Sequence, residues 1–156
     1  MTTNSVSLRA VAPGDLPVFF ENQLDAEANR LVGFKPRDRE AFDAHWAKIL
    51  ADPSLDKMTV VFDGAVAGNV VAFDRDGARE LGYWLGRAYW GKGIGGRAVA
   101  LFLKAVKTRP LLARVSSANP GSIKVLEKNN FKKIGDERYT TAGGEVLPGF
   151  VYELRS

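Results

Sequence analysis

The sequence predicts an α+β fold with a central mixed, mostly antiparallel sheet and flanking helices. Three strand-like segments follow one another within residues 58–86 and are joined by short turns, which is typical of antiparallel strands. A helix then separates the last of them from a fourth strand, and a strand–helix–strand order makes the two strands parallel. The 156 residues suffice for one domain with its own core.

The first part of the chain combines one strand with two helices. Residues 5–11 alternate polar and apolar side chains, as a half-buried strand does. A Pro-Gly turn precedes Asp15, which we expect to cap a helix that reaches residue 24. Apolar side chains recur at helical spacing in residues 38–50, so a second amphipathic helix is predicted there.

The next part shows the two-residue period of strands. Segments 58–62 and 65–73 flank Asp63-Gly64, a dipeptide that favours a two-residue type I′ hairpin turn. Residues 74–77 form a second turn signal, and the segment 79–86 follows it. These three strands therefore form an antiparallel meander.

The last part alternates helices and strands. Residues 93–106 have an apolar helical stripe and are followed by the strand-like segment 111–116. An Asn-Pro pair opens a further helix over residues 119–130, because asparagine caps helices and proline suits their first position. Segments 131–139 and 146–154 complete the sheet as strands.

Composition excludes several kinds of site. The sequence has no cysteine and a single histidine, His45, which excludes disulfide frameworks, cysteine nucleophiles and multi-histidine metal sites. No apolar run approaches the roughly 18 residues of a membrane span, and residues 1–4 begin no signal peptide. We therefore expect a cytoplasmic protein that uses no metal and no membrane.

Positive charge is concentrated in one segment of the chain. Residues 86–133 contain 11 Lys and Arg and one acidic residue, Glu127, although the whole chain has a net charge of only +4. Residues 1–85 have a net charge of −4. A positive field of this kind indicates an anionic partner or a solvated basic helix face, and charge alone does not decide between them.

The strongest motif is the glycine-rich segment 90–97, which reads Trp-Gly-Lys-Gly-Ile-Gly-Gly-Arg and lies between a strand and a helix. Glycines allow the backbone to approach a ligand closely, and the first N–H groups of a helix have no intrahelical acceptor. Together with the helix dipole, this pattern predicts a phosphate or pyrophosphate site, with Lys92 and Arg97 beside it.

Two common phosphate motifs fit this segment poorly. The dinucleotide fingerprint requires an acidic residue about 20 positions further on, but Ser116 and Ser117 occupy that region. A P-loop requires Lys followed by Ser or Thr, whereas the chain has Arg97 and Ala98. Neither motif explains the segment.

Two blocks of sequence carry a further signal. Residues 82–85 read Gly-Tyr-Trp-Leu and residues 89–95 read Tyr-Trp-Gly-Lys-Gly-Ile-Gly. Residues 119–131 contain the second block, Asn-x-x-Ser followed by Val-Leu-Glu-Lys-x-x-Phe. Together the two blocks resemble the GNAT N-acetyltransferase superfamily, in the branch of ribosomal-protein N-terminal acetyltransferases. Trp90 departs from the general Arg or Gln of the loop, and Asn130 stands where the family usually has Gly.

The resemblance implies one N-acetyltransferase domain over residues 5–155, with two strands splayed apart in its sheet. It also implies acetyl-CoA as the acetyl donor, a primary amine as the acceptor and direct attack of the amine on the thioester. A protein N-terminus and a small amine both remain possible acceptors. The residues that the resemblance assigns to the cofactor are Tyr83, Trp84, Leu85, Gly91, Lys92, Gly93, Ile94, Gly95, Gly96, Arg97, Asn119 and Ser122.

Two residues are candidates for proton transfer. Many relatives place a tyrosine acid where this chain has Leu126, so Ser122 is the substitute acid or an ordinary serine of the first helical turn. Glu80 is the candidate base because it precedes Gly82 on the strand next to the thioester; otherwise it is a solvent-facing strand residue. Water alone is a further candidate base.

The sequence also allows other interpretations. The missing tyrosine acid motivates an alternative, a non-catalytic acyl-CoA-binding module. A nucleic-acid partner is not expected, because the aromatic side chains of residues 98–133 are only Phe102 and Phe131, both on apolar faces. The acidic balance of residues 1–85 agrees with a cationic acceptor, for which Glu21 and Asp25 are weak candidate contacts. The chain is expected to be a monomer or a homodimer.

Overall fold

The structure, a computed structural model, describes residues 5–141 and 143–156; the expectation about residues 1–4 lies outside this range. The strands of its sheet are β1 (Val6–Ala10), β2 (Asp56–Phe62), β3 (Ala65–Arg75), β4 (Ala78–Leu85), β5 (Leu111–Ser116), β6 (Lys132–Thr140) and β7 (Val146–Leu154). Its α-helices are α1 (Leu16–Gln23), α2 (Ala26–Val32), α3 (Arg39–Ala51), α4 (Ile94–Ala105) and α5 (Pro120–Lys128).

These strands form one mixed sheet in the order β1-β2-β3-β4-β5-β7-β6. β4 and β5 run parallel, and the other neighbouring strands are antiparallel. α4 connects β4 to β5, because only a crossover can return the chain to a parallel start. The predicted mixed, mostly antiparallel sheet with flanking helices is confirmed.

Two-residue turns join the strands of the meander. Asp63 and Gly64 have φ angles of 50° and 84°, the left-handed values that a type I′ turn requires. Asp76 and Gly77 have φ angles of 53° and 79° and connect β3 to β4. The first turn confirms the sequence prediction, and the second is shorter than the predicted 74–77 because β3 extends to Arg75.

The sheet separates two apolar clusters. On one face, Phe102 of α4 and Leu126 of α5 are buried in the main core together with residues of the sheet. On the other face, Phe19 of α1 and Trp46 of α3 are buried against Val71 of β3. α4 and α5 therefore lie on one face of the sheet, and α1 and α3 lie on the other.

Two local features differ from the sequence prediction. Residues 26–32 form α2, which the periodicity did not indicate because seven residues are too few to show an apolar stripe. Asp25 caps this helix and Gly33, with φ of 65°, ends it. Asp15 precedes α1 but does not cap it. Its carboxylate accepts hydrogen bonds from Arg9 and Thr59 instead.

Candidate active site

A gap between β4 and β5 is the central feature of the candidate site. The two strands share one register pair, Glu80 with Leu112, although β4 continues to Leu85 and β5 to Ser116. Each of them pairs along its length with its antiparallel neighbour. The strands therefore diverge toward their carboxyl ends, as the predicted splayed pair requires. Backbone polar groups that lose a strand partner in this way need another partner.

The glycine loop follows the carboxyl end of β4 and leads into α4. Gly91 and Gly93 have φ angles of 72° and 74°, and Gly93 is the residue immediately before the helix. A Cβ atom built at either position, or at Gly96, would meet no heavy atom within 4 Å. Packing inside the protein therefore does not explain these three glycines, and the space beside the loop is open to a ligand.

Four other loop residues have distinct surroundings. Ile94 is fully buried, so only its backbone faces the loop. Gly95 lies between β4 and α5, because a Cβ there would be 3.4 Å from Val125 and 3.5 Å from Leu85. The exposed side chains of Lys92 and Arg97 add positive charge beside the helix N-terminus. This arrangement of backbone donors and cations suits an anion.

Two tryptophans fix the end of β4. The indole Nε1 of Trp90 donates to the carbonyl of Leu85 at 3.1 Å and so ties the start of the loop to the strand. The indole of Trp84 donates to the carbonyl of Asn22 at 3.1 Å. Trp90, which departs from the family pattern, thus has a structural role in this chain.

Tyr83 and Ser122 form a hydroxyl pair on the α4–α5 side of the sheet. Their side-chain oxygens are 2.5 Å apart. Burial raises the pKa of Tyr83 to about 12, so the phenol keeps its proton at neutral pH. Asn119 Oδ1 accepts from the Ser122 backbone N–H at 3.2 Å, which is the predicted helix cap.

Glu80 lies on the opposite side of the sheet from this hydroxyl pair. It is only 4% exposed, so its interpretation as a solvent-facing strand residue is wrong. Its Oε1 accepts from Arg114 Nε at 2.6 Å and lies 3.5 Å from Arg75 Nε. Arg114 also donates to Glu137, so one guanidinium holds two carboxylates.

A pocket of about 780 Å³ opens on the Glu80 side. Its walls include residues 32–37 at the end of α2 and in the loop that follows it, Gly82 and Trp84 of β4, Arg114 of β5, and residues 139–141. This volume lies within the range of small-molecule sites, roughly 300–1,000 Å³. The gap between β4 and β5 thus has an open pocket on one side and the hydroxyl pair on the other.

Sequence reasoning found the loop and the gap but missed part of the pocket. Arg75 and Arg114 were not predicted as site residues. Arg114 had a usable signal, because a charge within the apolar segment 111–116 indicates a buried partner. The two weak acceptor candidates do not line the pocket: Asp25 caps α2, and Glu21 lies elsewhere on α1.

The comparison with known families decides the assignment. The acetyltransferase (GNAT) domain model matches residues 5–132, which is most of the chain. The chain belongs to the GNAT acetyltransferase family. By sequence, this GNAT domain is 26% identical to the uncharacterized N-acetyltransferase p20 of Bacillus licheniformis, over 97% of this chain and 93% of that protein.

Solved GNAT structures share the fold at lower identity. The spermidine N-acetyltransferase of Vibrio cholerae, in complex with CoA and spermine, has a TM-score of 0.81 at 15% identity. The match covers 98% of this chain and 96% of the chain of that enzyme. The phosphinothricin acetyltransferase of Sinorhizobium meliloti, in complex with AcCoA, has a TM-score of 0.79 at 20% identity, with coverages of 96% and 88%. These enzymes are named for different acceptors, so the shared fold does not identify the acceptor of this GNAT domain.

Two further features concern possible ligands and partners. Among residues 5–141 and 143–156, no three acidic or histidine side chains are grouped so that they could hold a metal ion. None of the helices described above is long and apolar enough to cross a membrane.

Proposed function

We propose that this GNAT domain transfers an acetyl group from acetyl-CoA to a primary amine by direct attack. The observation that carries the proposal is the gap between β4 and β5, with an open glycine loop at its end and a pocket beside it. In the reaction, the amine nitrogen forms a bond to the acetyl carbon and the bond from carbon to sulfur breaks. One proton leaves the amine, and one reaches the thiolate.

The glycine loop is the proposed pyrophosphate site. The N–H groups of residues 91–96 would donate to the anion, and the open space at Gly91, Gly93 and Gly96 fits its close approach. Lys92 and Arg97 would add charge attraction. The net positive charge of residues 86–133 then has a specific anion to bind, since coenzyme A contains both a pyrophosphate and a ribose phosphate.

The strand β4 and the start of α5 would hold the pantetheine arm. Backbone groups of Tyr83, Trp84 and Leu85 lie along the gap, where a hydrogen bond to the thioester carbonyl would stabilise the negative charge that develops on it. The carbonyl of Leu85 already accepts from Trp90. Asn119 Oδ1 is used as a helix cap, so its amide nitrogen is the group proposed to contact the cofactor.

Ser122 is the proposed proton donor to the thiolate, supported by Tyr83. The short contact between their oxygens allows the phenol to return a proton to the serine. This pair lies on the face where α5 also contains Leu126, at the position of the tyrosine acid in many relatives. A hydroxyl source beside the gap weakens the case for the alternative, a non-catalytic acyl-CoA-binding module, which was motivated by the missing tyrosine acid.

Glu80 is the proposed base on the pocket side. Both of its arginine contacts are made by Oε1, so Oε2 is the oxygen that we assign to the proton of the amine, directly or through a water molecule. A general base of this kind contributes roughly 10²–10⁴-fold to a rate. The two proposed proton-transfer groups lie on opposite faces of the sheet, so separate groups would take the proton of the amine and supply the proton of the thiolate.

Thiol release from acetyl-CoA over a panel of amines tests the proposal. The panel contains amino acids, polyamines, aminoglycosides and short peptides with free N-termini, the last because of the resemblance to the ribosomal-protein branch. We expect thiol release that depends on one acceptor class, with the N-acetyl product identified by mass. Binding of acetyl-CoA without release for any acceptor would contradict the enzymatic function.

A further inference from the structure

The pocket beside Glu80 is richer in positive than in negative charge. The cations that line it are Lys35, Arg37, Arg75 and Arg114, and Glu80 is the acidic residue among them. Arg114 is paired with both Glu80 and Glu137, and Arg75 lies near Glu80. Within residues 5–141 and 143–156, Lys35 and Arg37 have no ion-pair partner, so the pocket retains uncompensated positive charge.

The backbone of Arg37 is held in place by a buried glutamine. Gln23 at the end of α1 is 6% exposed, and its Nε2 donates to the carbonyl of Arg37 at 2.8 Å. Its Oε1 accepts from the backbone N–H of Arg37, also at 2.8 Å. Both polar atoms of a buried amide are therefore used to fix one residue of the pocket wall, and a fixed backbone lowers the entropy lost when the side chain binds a ligand.

Aromatic contacts connect the Arg37 side chain to the reacting strand. The guanidinium carbon of Arg37 lies 5.6 Å from the centre of the Phe34 ring. Phe34 in turn contacts Trp84 of β4 edge to face, with ring centres 5.3 Å apart. Trp84 and Glu80 line the same pocket. The Arg37 guanidinium therefore lies at the wall of a pocket that is also lined by β4, the strand proposed to contact the thioester.

We infer that the acceptor is a small amine that carries a carboxylate, of the amino-acid type, and that Arg37 binds this carboxylate while the amine lies near Glu80. This inference rests on the proposed acetyl transfer and specifies its substrate. A planar guanidinium binds a carboxylate through two parallel hydrogen bonds. A polyamine would instead meet Lys35 and Arg37 with like charge, so the cationic acceptor suggested by the acidic first half of the chain is not the one this pocket fits.

Matched acceptors provide the first test. Each common L-amino acid is compared with its own C-terminal amide, which keeps the amine and the side chain but lacks the carboxylate. We expect kcat/KM for the best amino acid to exceed that for its amide by at least 10-fold. Equal or higher values for the amide, or faster acetylation of a polyamine or a peptide amide, would overturn the inference while leaving acetyl transfer intact.

A pair of arginine variants provides the second test. Arg37→Gln should raise KM for the amino acid at least 10-fold with a small change in kcat, and should leave KM for the amide unchanged. Arg37→Lys should recover part of the loss. Arg39→Gln is the control, because Arg39 is close in sequence but does not line the pocket and contacts Phe20 and Asp43 instead. Equal effects of Arg37→Gln on acid and amide would contradict the assigned contact.

A binding measurement separates this inference from the proposed function. Calorimetry with coenzyme A present measures the affinity for the amino acid and for its amide without any turnover. We expect the wild type to bind the amino acid at least 10-fold more tightly than the amide. Arg37→Gln should bind the amino acid and the amide with equal affinity. If no acceptor is acetylated but this difference is present, the proposed transfer fails and the carboxylate site stands. Equal affinities in the wild type would overturn the site.

Discussion

Replacement of Glu80 by Gln is expected to lower kcat about 10²-fold, the lower end of the contribution of a general base. Gln has nearly the same shape as Glu and can still accept the hydrogen bond from Arg114, so the pocket should keep its form. The change removes the group proposed to take the proton of the amine. Steady-state kinetics with saturating acetyl-CoA measure the effect, and the KM for acetyl-CoA should not change.

The matched control for this variant is Glu137→Gln. Glu137 shares Arg114 with Glu80 but is not among the residues that line the pocket. Both variants weaken the ion-pair group around Arg114, so both should lower the melting temperature, and Glu80→Gln should lower it more because Glu80 is more buried and also lies near Arg75. Only Glu80→Gln should lose activity. If Glu80→Gln keeps more than half of the wild-type kcat, the base is water or another group.

Replacement of Asp15 by Ala is expected to lower the free energy of unfolding by about 2 kcal/mol, within the range for hydrogen bonds to a charged group and for a buried polar group left without a partner. Asp15 is 3% exposed, and its two oxygens accept from Arg9 at 2.7 and 2.8 Å and from Thr59 at 2.7 Å. Its removal leaves the fully buried Thr59 hydroxyl without this acceptor. The Arg9 charge adds little to this loss, because Arg9 is 45% exposed and stays hydrated.

Urea unfolding measures this loss, with Asp43→Ala as the control. Asp43 also pairs with an arginine, Arg39, but both side chains are more than half exposed. An exposed pair of this kind contributes at most about 1 kcal/mol. A loss for Asp15→Ala no larger than that for Asp43→Ala would contradict the structural role of the buried carboxylate.

The same carboxylate predicts a pH dependence of stability. The hydrogen bonds from Arg9 lower the pKa of Asp15 from 3.8 to about 2. Because this pKa is lower in the folded than in the unfolded state, the ionised carboxylate stabilises the fold, and its full contribution is present at any pH above the unfolded pKa. The contribution is lost as the pH falls from about 4 to about 2. The wild type should therefore lose stability more steeply over this interval than Asp15→Ala does. Parallel curves for the two proteins would contradict the assignment.

Local sequence signals predicted the parts of the fold that local chemistry determines. The Asp63-Gly64 turn, the helix cap at Asn119 and the left-handed Asn130, with φ of 70°, all depend on neighbours a few residues away. The glycine loop belongs to the same class. A motif that combines positive φ angles with a helix start can be recognised in the sequence because every requirement lies within eight residues.

Contacts between distant segments were not predictable in this way. Tyr83 and Ser122 are 39 positions apart, and Gln23 holds Arg37 across the unpredicted helix α2. The side chain of Asp15 satisfied the rules for a helix cap, but burial against Thr59 outweighed that local preference. The register of β4 against β5 decides which charges meet in the pocket, and no single segment encodes that register.

Titration of acetyl-CoA into the wild type, Gly93→Ala and Gly64→Ala tests the central claim most directly. Both glycines have a positive φ and open space at the Cβ position, so both substitutions strain the backbone similarly. Only Gly93 lies in the proposed pyrophosphate loop. We predict that the wild type and Gly64→Ala bind acetyl-CoA equally and that Gly93→Ala binds at least 10-fold more weakly. No binding by the wild type, or equal binding by all three, would contradict the assignment of the glycine loop as the acetyl-CoA site.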